Sequence, residues 1–195
     1  MCLTVSAMAV KAGRYRLGSD HDRLVLQTAR DGMAAQAGHD LTIEAARWSG
    51  ELTVGDDLAP VALEVRVDMG ALIVREGTGG LKPLTDRDKR EIGAAARKLL
   101  ASDRNPEAVF SATAFKPDSA GAGVISGTLT LNGSAQPLDL TVTQPGPDRY
   151  HATGSILQSA YGIKPYSAFL GTLKVRDAVS FEADVELTAA EAATP

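Results

Sequence analysis

The clearest signal in the chain is an alternation of apolar and polar residues. Val61, Leu63, Val65, Val67 and Met69 alternate with Ala62, Glu64, Arg66 and Asp68. Leu138, Leu140 and Val142 alternate with Asp139, Thr141 and Thr143. Val179, Phe181, Ala183, Val185 and Leu187 alternate with Ser180, Glu182, Asp184 and Glu186. Side chains of a strand point to opposite faces in turn, so each run reads as a strand with one wet and one apolar face. One wet face per strand favours an antiparallel sheet. Weaker strand signals cover 14–17, 23–30, 41–54, 109–116, 123–131 and 149–158. Gly18-Ser19-Asp20, Gly55-Asp56-Asp57 and Gly121-Ala122-Gly123 mark reversals between them. Asn132-Gly133, set between two alternating runs, predicts a tight hairpin.

One stretch has a different period. Thr85 suits a helix N-cap, Asp86 and Asp88 suit the positive end of a helix, and Ile92, Ala95, Ala96, Leu99 and Leu100 recur at helical spacing. Arg97 and Lys98 fall in the last turn, and Asn105-Pro106 prevents continuation. The pattern therefore predicts an all-β protein: an antiparallel lipocalin-like barrel of about eight strands, with one amphipathic helix in a connection. A single domain over 13–187 is expected, with tails at 1–12 and 188–195.

Composition narrows the functional classes. The chain has 195 residues and a net charge of -4, a balance ill suited to coating a nucleic-acid backbone. Its one cysteine, Cys2, excludes an internal disulfide, so the fold does not need an oxidising compartment. The first ten residues lack the basic start and small-residue cleavage site of a leader, and no run reaches the roughly 20 apolar residues of a membrane helix. A cytoplasmic, not membrane-spanning protein is the expectation.

Candidate chemistry is sparse. No G-x-S-x-G elbow and no phosphate-cradling glycine loop is present. His21-Asp22 and His39-Asp40 carry metal-competent groups, but nothing in the sequence brings them together, so no metal, cofactor or catalytic set is assigned. Aromatics make up only 5% of the chain, and small inward residues would leave barrel volume for an apolar ligand. The apolar strand faces supply the expected lining: Leu63, Val65 and Val67, then Phe110 and Leu129, then Leu140, Val142 and Phe181. Trp48, the only tryptophan, is either a core anchor or part of that lining. The segment 159–171 is rich in Gly and Pro yet carries Tyr161, Tyr166 and Phe169, and so must cover either the barrel wall or its mouth. His39, Arg75 and Lys82 are candidates for a polar head group at the rim, with the glycines of 77–80 softening that loop.

Several landmarks resemble the YceI-like family of lipocalin-like proteins. Leu99-Leu100 and Pro106 precede Phe110, and Gly127, Leu129, Thr130 and Gly133 follow, with Gln136-Pro137-Leu138 beyond. Trp48-Ser49-Gly50-Glu51-Leu52 lies upstream, and Tyr161-Gly162-Ile163 and Arg176-Asp177-Ala178-Val179 lie downstream. The resemblance runs from about Gly13 to Leu187. It implies an elongated apolar cavity holding a polyisoprenoid or another long amphiphile, and it implies export for many members, from which this chain departs.

The leading expectation is thus a non-enzymatic protein that binds or carries a long-chain isoprenoid or fatty-acid derivative. Two alternatives stay open. One is a cofactor-free enzyme using His39 or Arg47 on an apolar substrate. The other is a filled barrel whose 161–170 loop forms an interface, for example in a homodimer.

Overall fold

The computed structural model describes residues 11–57, 59–118 and 122–189. Cys2, the first ten residues, Gly121 and the end of the C-terminal tail lie outside them. Among the described residues the chain forms one antiparallel sheet of thirteen strands. These are β1 (Gly13–Gly18), β2 (Arg23–Asp31), β3 (Asp40–Ala45), β4 (Trp48–Val54), β5 (Pro60–Asp68) and β6 (Leu72–Thr78), followed after the helix by β7 (Glu107–Pro117), β8 (Gly123–Leu131), β9 (Ser134–Gly146), β10 (Arg149–Leu157), β11 (Ser167–Ala168), β12 (Leu173–Glu186) and β13 (Thr188–Ala189). The helix, α1, spans Asp86–Leu99.

The expected count of about eight strands is corrected to thirteen, because long runs bend. β2 pairs with β3 while β1 pairs with β4, so 13–31 and 40–54 form one long hairpin broken in the middle. The predicted strand 41–54 is accordingly two strands, separated at Ala46-Arg47. β5 and β6 break at the same level, pairing with β4 and β3 respectively. Hydrogen bonds join the three bends: Ser19 N–H donates to the Trp48 carbonyl at 3.2 Å, Ala46 N–H to Ala71 at 2.9 Å and Asp68 N–H to Arg47 at 3.0 Å. β6 has no counterpart among the sequence-predicted strands. Only Leu72 and Val74 bury, and the charged run from Arg75 onward disguises the period.

β7 to β10 continue as a meander, and β10 pairs with β12. β12 pairs in turn with β2, and β13, one residue further on, pairs with β1. The sheet therefore curls until the end of the chain meets its beginning. Asp22 secures this seam. Its side chain is fully buried and accepts hydrogen bonds from Gly18 N–H and Glu186 N–H, both at 2.9 Å.

Local signals behave as elementary geometry dictates. Asn132 and Gly133 both take left-handed conformations, φ 50° and 75°, matching the right-handed twist of β8 and β9. Thr85 caps α1 reciprocally: Asp88 N–H donates to its hydroxyl oxygen at 3.2 Å, and Thr85 N–H donates to the Asp88 carboxylate at 2.8 Å. α1 lies against β6, with Ile92 and Leu99 packed on the core. Among the described residues no helix is long and apolar enough to cross a membrane.

Candidate ligand-binding cavity

The inner face of the curled sheet encloses a cavity of about 540 Å³. Alternation puts Leu63, Val65 and Val67 of β5 on its wall. Their neighbours face outward, where Arg66 donates to Glu64 at 2.9 Å and to Glu107 at 3.3 Å. β7 and β8 add Phe110 and Leu129, β9 adds Leu140 and Val142, and β12 adds Phe181. Trp48 also lines the cavity. Val61 alternates with these residues in sequence yet is 59% exposed, because the β4–β5 register shifts beside it and Pro60 takes the inward place.

Two glycines make room for aromatic rings at the wall. A methyl group at Gly127 would stand 2.5 Å from Cζ of Phe110 and 2.6 Å from the Ser111 carbonyl oxygen. One at Gly154 would stand 2.5 Å from Cζ of Phe181. Each ring covers a neighbouring strand that has no side chain there, and the lumen remains open.

The cavity has a closed end and an open one. Trp48, Met69, Leu72, Ala108 and Leu131, all buried, form the floor. Beneath the sheet end, Tyr161 and Ile163 are each 2% exposed. Asn132 fastens them, receiving a hydrogen bond from the Asn105 amide and donating to the Tyr161 carbonyl, both at 3.0 Å. At the other end the wall includes Lys116, Asp118, Gln144 and Tyr150. Gln144 donates to the Tyr150 phenol oxygen at 3.3 Å. Burial, with smaller contributions from Asp148 and Tyr15, pushes the Tyr150 phenol above its usual range, so it stays a neutral hydrogen-bonding group.

The loop and rim candidates sit elsewhere. The 159–171 segment is not a lid: Tyr161 packs under the floor, outside the cavity wall, while Tyr166 and Phe169 are 48% and 69% exposed and face away from it. Phe169 and Leu170 have φ of 49° and 54°, and both side chains are exposed. Arg75 belongs to strand β6, not to a mobile loop, and its guanidinium grips Glu44 on the outer surface. That hydrogen-bonded pairing holds the Glu44 carboxyl below its usual range. His39 donates to the Lys82 carbonyl at 2.8 Å. Both residues line a separate open cleft between α1 and the start of β3. Arg47 pairs with Asp68 at 2.8 Å and does not line the cavity.

The histidines remain apart. His21 lies by Asp22 and Thr188, and His151 bonds Asp184 at 2.7 Å. Among the described residues no three His, Cys, Asp or Glu side chains gather as a metal site. Sequence reading missed Lys116, Gln144 and Tyr150. For Gln144 and Tyr150 the available signal was positional, since each extends the apolar face of its strand, whereas Lys116 follows a register shift between Ala112 and Ala114 that the sequence does not announce.

Residues 15–187 match the family model described as YceI-like domain. No curated protein matches the sequence. Among solved structures the fold is similar to BcnA of Burkholderia cenocepacia, with a TM-score of 0.61 at 15% identity, covering 87% of this chain and 98% of that one. It is also similar to a YceI protein of Campylobacter jejuni, with a TM-score of 0.56 at 12% identity, covering 77% and 85%. At such identity the likeness concerns the fold alone.

Proposed function

This chain belongs to the YceI-like family, and from that premise we propose that it binds or carries a long-chain apolar or amphiphilic molecule, an isoprenoid or fatty-acid derivative, inside the curled sheet. The observation that carries the reading is the cavity of about 540 Å³, apolar along its walls and polar only at its mouth. That volume falls within the range typical of small-molecule sites, roughly 300–1,000 Å³. Each methylene taken from water into such a space contributes roughly 0.8 kcal/mol, so a chain alone supplies substantial affinity. The polar end of an amphiphile meets Lys116, Gln144 and Tyr150 instead of His39, Arg75 or Lys82.

The reading is of a binding protein, not an enzyme. Ionisable groups on the wall, Lys116, Asp118 and Tyr150, stand at the mouth, and the deep wall is aliphatic and aromatic. The decisive experiment is native mass spectrometry of the full chain, with an organic extract analysed alongside. A bound mass that leaves on denaturation and reappears in the extract as a long-chain molecule supports the carrier function. A bare protein that takes up neither added isoprenoid nor fatty acid overturns it.

The outward Phe169 and Leu170 favour a second, compatible reading, contact with another copy of this chain. Sedimentation at rising concentration tests it. A strictly monomeric protein, with Phe169→Ser unchanged in mass, refutes it.

A further inference from the structure

The curled sheet is longer than the cavity it holds. β12 runs fourteen residues, Leu173–Glu186, yet its members on the cavity wall are Phe181, Ala183 and Val185. β2 gives Leu24 and Leu26, and among the described residues β3 gives none. Below the floor the interior is filled instead. Ile43, Ala45, Val74, Tyr161 and Ile163 are buried there in the same core cluster as the floor residues, and Ile92 and Leu99 of α1 pack on it. The floor stands where the strands bend. Met69 N–H donates to the Pro106 carbonyl at 2.8 Å, and Ala46 N–H donates to Ala71, beside Leu72, at 2.9 Å. Backbone hydrogen bonds fix the level at which Met69 and Leu72 close the lumen.

Resting on the carrier reading above, we propose that this floor is a ruler: it limits the ligand to one aliphatic chain of about sixteen to eighteen carbons. Depth gives the first figure. β8 runs nine residues, from Gly123 at the mouth to Leu131 on the floor. At about 3.4 Å per residue that is roughly 27 Å along the strand. Strands of a barrel tilt by about 40°, which leaves a depth of roughly 20 Å. A zigzag chain with carbon–carbon bonds of about 1.5 Å advances roughly 1.25 Å per carbon, so about sixteen carbons span it. Volume gives the second figure. A methylene takes about the room of a water molecule in the liquid, roughly 30 Å³. The cavity of about 540 Å³ therefore holds about eighteen of them. Two figures that agree describe a single extended chain. An isoprenoid of about three units meets the same limit. A two-chain lipid exceeds the volume, and a polyprenyl chain of twice the length exceeds both.

The full chain is titrated with saturated fatty acids of about ten to twenty-four carbons, each competing with one fluorescent single-chain probe. Affinity should rise about four-fold per added carbon, the equivalent of roughly 0.8 kcal/mol per methylene, up to about sixteen to eighteen carbons and then stop rising. Met69→Ala removes most of a floor side chain and should move that limit about two carbons longer. Ala108→Leu raises the floor and should move the limit about two carbons shorter. A rise that continues to the longest acid overturns the ruler and leaves the carrier reading standing. So does a long polyprenol that binds as tightly as the best acid, or a limit that stays in place in a folded Met69→Ala. Failure of the probe, every acid and the polyprenol to bind overturns both readings. If neither variant folds, the length profile of the unsubstituted protein decides.

Discussion

The ring of Phe181 lies over Gly154, its direct partner across β10 and β12, so closely that a methyl group at 154 would stand 2.5 Å from Cζ. The contact needs a residue with no side chain at 154, because a methyl group would take the space that the ring occupies. Gly154→Ala should drive the ring inward. The expected loss is about 1–3 kcal/mol, as for other overpacked interiors, with weaker uptake of long-chain probes. Urea denaturation and a binding titration on the same preparation check both halves.

Filling the lumen should separate binding from folding. Val142 lines the cavity near its mouth and is half-buried. Val142→Trp places an indole in open space, so stability should change by less than about 1 kcal/mol while affinity for a long-chain probe falls at least ten-fold. Unchanged affinity in a folded variant would show that the ligand lies elsewhere.

The seam of the curled sheet rests on Asp22, whose buried carboxylate receives two backbone N–H groups from different ends of the chain. Asp22→Ala leaves both donors unsatisfied and should cost about 1–3 kcal/mol or more. Asp22→Asn, which retains one acceptor oxygen, should cost less. Chemical denaturation of both variants orders them.

Acid should loosen the segment beneath the floor. Asp177 accepts from the Ser159 hydroxyl at 2.5 Å and the Ser159 N–H at 2.8 Å, and these bonds hold its carboxyl below the usual range. A carboxyl depressed in the folded state contributes stability that is present above its unfolded value and lost as pH falls through its folded one. The loss therefore begins below about pH 4. Asp177→Asn should be less stable at neutral pH, and its melting temperature should decline less steeply on acidification. Parallel curves for the two proteins would refute the assignment.

Leu170 holds a left-handed backbone, φ 54° and ψ 32°, while its side chain is fully exposed. A bulky L-residue there is disfavoured by roughly 1–2 kcal/mol, and asparagine tolerates that region. Leu170→Asn should therefore raise stability by about 0.5–1 kcal/mol, readable as a higher denaturation midpoint. If the loop is a contact between copies, the same substitution should also weaken self-association.

What the sequence by itself determined was local. Period-2 faces marked one apolar side of β5, β9 and β12, because a strand exposes alternate residues whatever surrounds it; which way those sides point was not in the pattern. Asn132-Gly133 and Thr85 were legible for the same reason: their turn and cap are made within a few residues. Tertiary structure decided everything that depends on partners distant in the chain. Alternation cannot say where a long strand bends, so 41–54 read as one strand, and the charged run after Val74 concealed β6. Charge alone suggested Arg75 and Lys82 for the rim, yet cross-strand pairing gave Arg75 to Glu44, and chain reversal set Lys82 in another cleft. The apolar loop was read as a cover of one kind, but its two ends part: Tyr161 is buried beneath the floor, while Phe169 and Leu170, both left-handed, are exposed. Only the curl of the sheet, which brings β13 back to β1, turned separate apolar faces into one enclosed volume with a mouth and a floor.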